Sequence, residues 1–228
     1  MEKRISLIFI ISILFINNVF SQHEDFQKRI RIPLWAELDA YPELEEAQDI
    51  SAGQFDYPIN RLKAISPFLI TGMTYGWNFV YTPYDKTRKV EEYFEFSPIH
   101  ELTEKDGKIE YSKPWVQDNK LYCWVEFERT PQMQWTYRMW NSVTTIKIKG
   151  TGSGKISDGF DGIETAAKNS LKEAIRNHYR EIIKNKPKEI SGKVIIRKTP
   201  QIGINSGQYI VKLDFFLESD RILMYTLY

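Results

Sequence analysis

From Phe68 onward, apolar side chains recur at every second position. Met73, Tyr75, Trp77, Phe79 and Tyr81 alternate with smaller or polar residues, which is the period of a half-buried strand. Gly72 and Gly76 inside this run predict a bulge or a close backbone approach. Thr82 to Lys86 reads as a turn with Pro83 preset for it. Val90 to Phe96 returns as a second strand, with Glu91, Tyr93 and Glu95 on one face and Glu92, Phe94 and Phe96 on the other; Pro98 closes it. Lys105-Asp-Gly-Lys108 and Gln117-Asp-Asn-Lys120 carry hairpin turn chemistry. The second leads into a strand that places Leu121, Cys123, Val125 and Phe127 on one face, so Cys123 reads as a small core residue. After Pro131 the alternation of Met133, Trp135, Tyr137 and Met139 predicts another strand, and Val143 to Lys149 one more.

The period then changes to 3.6. Ile163, Ala167, Leu171, Ala174, Ile175 and Ile182 fall on one side of a helix spanning about 163–184. Lys168, Lys172, Arg176 and Arg180 fall largely on the other. Ala166, Ala167, Ser170 and Ala174 are small enough for this helix to lie close on a sheet, and Asn185-Lys-Pro187 stops it. Between the preceding strand and the helix, Gly150-Thr-Gly-Ser-Gly-Lys155 reads as a glycine-loosened loop with positive φ available. Gly192 to Lys198, Gln208 to Leu217 and Ile222 to Tyr228 read as strands, with Pro200, Gly203 and Gly207 in a connecting loop.

Towards the start, Pro33 and Pro42 each suit the first turn of a short helix, over 33–39 and 42–49. The six acids between Glu37 and Asp49 read as solvated helix faces, because no ion-loop spacing is present. Lys3 and Arg4 precede an apolar run, Ile5 to Ile16, too short to span a bilayer comfortably; Val19-Phe20-Ser21 then offers a cleavage site before Gln22. The expected organisation is a signal peptide (1–21), an extension with short helices (22–50), a hairpin-rich region (51–140) and a β-α-β-β unit (141–228), the last two capable of forming one domain. The fold class is α+β, mainly antiparallel sheet with one long amphipathic helix packed on it.

Charge and composition narrow the function. Removing Glu2, Lys3 and Arg4 with the leader takes 31 basic and 30 acidic side chains to 29 of each. A balanced chain lacks the basic footprint that nucleic acid demands. Cys123 is the single cysteine, so no internal disulfide forms, and a bacterial-type periplasm or cell surface is the expected location.

The glycine loop misses the phosphate-binding pattern: Lys149 stands where the first glycine is needed, and Ile156 where Ser or Thr is needed. No nucleotide, cofactor or metal is therefore expected. A membrane barrel fits poorly, since Asp220 interrupts the apolar face of the last strand. His23, His100 and His178 show no ligand spacing, and no nucleophile elbow occurs.

What remains is a non-catalytic exported module that binds an envelope protein or component. A glycan-binding protein is one alternative, with Trp77, Tyr75, Trp135 and Tyr137 as stacking rings. A secreted hydrolase is another, with His100, Glu101, Asp158 and Lys155 as the polar candidates, His100 and Glu101 lying in a loop after Pro98.

Overall fold

The computed structural model describes residues 28–38 and 55–225. The expected signal peptide, the helix over 42–49 and residues 226–228 lie outside them. The architecture is α+β, with two antiparallel sheets and helices packed against them. The first sheet joins β1 (Arg29–Glu37), β5 (Lys120–Glu128) and β4 (Glu110–Gln117), in that order. The second runs β3 (Tyr93–Pro98), β2 (Trp77–Thr82), β7 (Glu189–Ile196), β9 (Gln208–Leu223), β6 (Ile146–Lys155), and β8 (Gln201–Asn205) also pairs with β9. Among the described residues the α-helices are α1 (Asp56–Thr74), α2 (Pro131–Trp140) and α3 (Phe160–Ile182). α1 touches β1 and β5 on one side and β7 on another, so it lies between the two sheets.

Two expected strands are helical in whole or in part, and one expected helix is a strand. Residues 33–37, expected to begin a helix, are strand. Ile30, Ile32, Leu34 and Ala36 alternate into the core and β1 pairs with β5, Leu34 opposite Cys123. Pro33 is tolerated because β1 is the outer strand of its sheet, where a missing N–H need break no ladder bond. Phe68 to Thr74 belongs to α1, and only from Trp77 does the chain extend. Leu62, Ile65, Leu69, Ile70 and Met73 recur at helical spacing and are all buried. Gly72 is therefore no bulge. A Cβ there would stand 2.6 Å from the Trp77 ring, and Gly76, at φ +80, turns the helix into the strand.

α2 replaces the strand expected after Pro131. Thr130 accepts a hydrogen bond from the Met133 backbone N–H and Pro131 occupies the first turn. The apparent alternation resolves into two i, i+4 pairs: Met133 and Tyr137 face inward, Trp135 and Met139 outward.

Gly150 to Lys155 is not a loop. It is the second half of β6, paired from Gly150 opposite Leu213 to Lys155 opposite Gln208. Gly150, Gly152 and Gly154 share one face, none with positive φ. Methyl groups on them would lie 2.0, 2.1 and 1.9 Å from the carbonyl oxygens of Ser170, Ala166 and Gly162 on α3. The glycines thus remove side chains where helix backbone meets strand backbone. The contact is hydrogen-bonded as well: Ser170 Oγ donates to the Gly150 carbonyl and Asn169 Nδ2 to the Ser153 carbonyl, each at 2.9 Å.

The expected closeness of Ala166, Ala167, Ser170 and Ala174 to the sheet is realised, although α3 runs 160–182 and shares the fold with a second long helix, α1. The Asp-Gly pair at 106–107 forms no tight hairpin: a 3₁₀ turn over Glu104–Asp106 carries the chain from the large sheet to the small one. Asp118 and Asn119, both at positive φ, do form the two-residue turn joining β4 to β5. Residues 201–205, expected as loop, form β8, which turns into β9 through Ser206 and Gly207.

Candidate functional site

An apolar cleft opens between the start of α1 and the β4–β5 hairpin, with a volume of about 570 Å³. Phe55 and Ile59 line it from the helix side. Tyr111, Val116, Leu121 and Cys123 belong to the sheet side. Its shape follows from an irregularity in β4. Ser112 pairs with Trp124 and Trp115 with Tyr122, so Lys113 and Pro114 together stand opposite the single residue Cys123. Such a bulge bends its strand away from the regular ladder, and Lys113 takes up positive φ to do so.

The inner positions Tyr111 and Val116 consequently remain 41% and 52% exposed, and Phe55 and Ile59 are exposed beside them. Among the described residues lining the cleft, Lys63 alone is charged. Cys123 is buried, and burial pushes its thiol up to about 11. It is a neutral wall group at physiological pH, not a thiolate nucleophile.

The residues singled out from sequence are scattered. Trp77 is 1% exposed, stacked on Phe68 with ring centroids 5.0 Å apart. Tyr137 is 3% exposed, beneath the Arg129 guanidinium, and its hydroxyl donates to the Arg197 carbonyl. Trp135, two residues earlier on the same helix, is 58% exposed. The four rings therefore make no shared stacking platform. Rings that do sit together were not singled out: Trp115 and Tyr122 stack at 5.1 Å on β4 and β5, Lys120 covers Trp35, and Arg31 covers Trp124. Adjacent strands create these pairs, so only the register reveals them.

Tyr75 is half-buried and donates to Asp106 at 2.6 Å, while His100 meets its ring edge-on at 4.7 Å. Asp106 also accepts from the Thr103 backbone N–H and hydroxyl. The Tyr75 bond, then those from Thr103, hold its carboxyl at about 2. Its three hydrogen bonds tie down the segment between β3 and β4, which is a structural employment.

Glu101 is exposed beyond His100. Lys155 ends β6 and Asp158 lies in the 3₁₀ turn before α3, both exposed, with Asp158 accepting from Ser157. His178 is half-buried on α3, its basicity lowered by burial. Among the described residues no three His, Cys, Asp or Glu side chains gather as a metal site requires. No helix among them is long and apolar enough to cross a membrane.

A protein-family model matches residues 18–225, a span that contains every described element. The chain belongs to that family. The family is uncharacterised. A protein of Treponema pallidum (strain Nichols), described only as an uncharacterized protein, is 27% identical over 199 residues, covering 87% of this chain and 83% of its own length. No solved structure matches the chain.

Proposed function

We propose that the protein is an exported, non-catalytic binding module whose ligand seat is the apolar cleft between α1 and the β4–β5 hairpin. The observation that supports this is the row of inward-facing apolar residues, Tyr111 and Val116 with Phe55 and Ile59, left facing an open cavity of about 570 Å³. That volume lies within the usual range for ligand pockets, which are mostly apolar with a few placed polar groups. Lys63 is the charged group among the described lining residues, so the ligand is an elongated apolar molecule with an acidic end, such as a fatty acid. Each buried methylene is worth about 0.8 kcal/mol, part of which is offset by the cost of association. Cys123, held neutral, contributes wall area and no chemistry.

Titrating the purified protein with a fluorescent fatty acid tests the reading. Saturable binding is expected, displaced by unlabelled fatty acid and lost in Val116→Asp, with an unchanged melting profile showing that this variant is folded. Lys63→Gln should weaken acids more than the matching alcohols. Fatty-acid binding that is absent, or that survives Val116→Asp, overturns the proposal.

Export is supported by the basic n-region and the Ile5–Ile16 run. Intact mass of the protein recovered from an envelope fraction should begin at Gln22. Recovery from the cytosol with Met1 retained would refute it.

A further inference from the structure

A second concavity lies near the end of α3, where the helix faces β2 and the segments that follow β2 and precede β7. Its volume is about 310 Å³, and Tyr81, Tyr84, Glu92, Arg176, Arg180 and Lys186 are among its lining residues. Arg176 and Arg180 stand at i, i+4, side by side on one face of the helix. Like charges at that spacing repel, and their closeness to the Tyr81 hydroxyl is felt as two separate electrostatic influences on it.

The lining carboxylate, Glu92, is already engaged. It accepts from the Tyr81 hydroxyl at 3.0 Å and pairs with Lys172 at 3.1 Å. Among the described residues neither Arg176 nor Arg180 has an ion-pair partner. Lys186 adds a third cation, held over the site by donating to the Tyr84 carbonyl at 2.9 Å. A helix C-terminus favours nearby cations, but that preference does not require two forked guanidiniums and a lysine around one concavity. The walls between the cations are apolar: Pro83, Pro187 and the half-exposed Tyr84 ring.

We propose that this concavity is an oxyanion site for a small organic acid. A phosphate-ester or carboxylate group bridges Arg176 and Arg180, and a compact ring or apolar body lies against Tyr84 and the two prolines. Guanidinium forks suit both groups, because each offers two oxygens in a plane. The site lies on different elements from the apolar cleft, so either can fail without the other.

The test titrates phenyl phosphate and benzoate into the purified protein at low ionic strength, with benzyl alcohol as the neutral control. At least one acid should bind saturably and the alcohol should not. The double variant R176Q/R180Q should weaken binding about ten-fold or more. Both residues are exposed, so its melting curve should be unchanged. The variant R176K/R180K, which keeps the charge and loses the fork, should fall between.

Vesicles identify the source of the group. Co-sedimentation with phosphatidylglycerol, but not phosphatidylcholine, that is lost in R176Q/R180Q supports the site with a lipid headgroup as the acid. No sedimentation, with phenyl phosphate binding intact, supports it with a free acid. If neither acid nor vesicle binds, or if R176Q/R180Q binds as well as the parent, the site is refuted.

Discussion

Gly152 shows how much a missing side chain decides in this protein. Its hydrogen occupies a point where a methyl group would stand 2.1 Å from the Ala166 carbonyl oxygen and 2.2 Å from the Ser170 nitrogen. Both atoms belong to helix backbone and cannot rotate away, so Gly152→Ala must push α3 off the sheet. Overpacking of this kind costs about 2–3 kcal/mol, or roughly 5–10 °C of melting temperature in a chain of this size. Gly203 lies on β8 with nothing within 4 Å of its absent Cβ and no positive φ. Gly203→Ala should leave stability within about 0.5 kcal/mol. Thermal melts of the two variants check the contrast, and equal shifts would show that the close approach is not what holds the helix. The small residues on the α3 side were legible, because helical periodicity lines up Ala166, Ala167, Ser170 and Ala174. Their glycine counterparts on β6 were not: three glycines in five residues resemble a loop until a helix is laid across them.

At the scale of elements, α3 and the β4–β5 hairpin follow from local pattern, whereas α1, α2 and β1 were misread for identifiable reasons. α1 contains Pro67 and Gly72, both poor interior helix residues. Its last turn also runs into the alternation of Trp77, Phe79 and Tyr81, which extends the strand period back into the helix. Burial of Leu62, Ile65, Leu69 and Met73 against two sheets overrides those propensities. For α2, a residue spacing of two is ambiguous over four positions, since two i, i+4 pairs on opposite helix faces produce it. The deciding signal was present in Thr130-Pro131, a cap followed by a proline in the first turn. For β1, Pro33 suggested a helix start, and only its outer position in the sheet explains a proline within a strand. The apolar cleft shares this dependence. It needs α1 beside β4 and a bulge opposite Cys123, neither of which local sequence announces.

At the scale of the whole molecule, the two sheets drain into one core. A contiguous set of buried residues runs from Ile30 and Val125 in the small sheet, through Leu69 on α1, to Val194 and Phe215 in the large one. Polar ties cross the same junctions: Arg129 donates to the Met73 carbonyl at 2.7 Å, and Trp35 Nε1 to the Ile202 carbonyl at 3.2 Å. The sheets should therefore lose structure together. Far-ultraviolet dichroism and tryptophan fluorescence are expected to report one coincident thermal transition, and two separated midpoints would show that the sheets unfold independently.

The sequence alone was enough for the α+β class, the antiparallel character, a helix over about 163–184 (found at 160–182) with its small-residue face, and the turn at Asp118-Asn119. Each of these depends on neighbours a few residues apart, where periodicity and turn chemistry act directly. Tertiary structure decided the strand identity of the glycine run, the helical identity of 56–74 and 131–140, the burial of Trp77 and Tyr137, and the gathering of Arg176, Arg180 and Lys186 around one concavity. Those outcomes depend on which distant surface a segment meets. Burial against that surface outweighs local preferences of about 1 kcal/mol or less per residue.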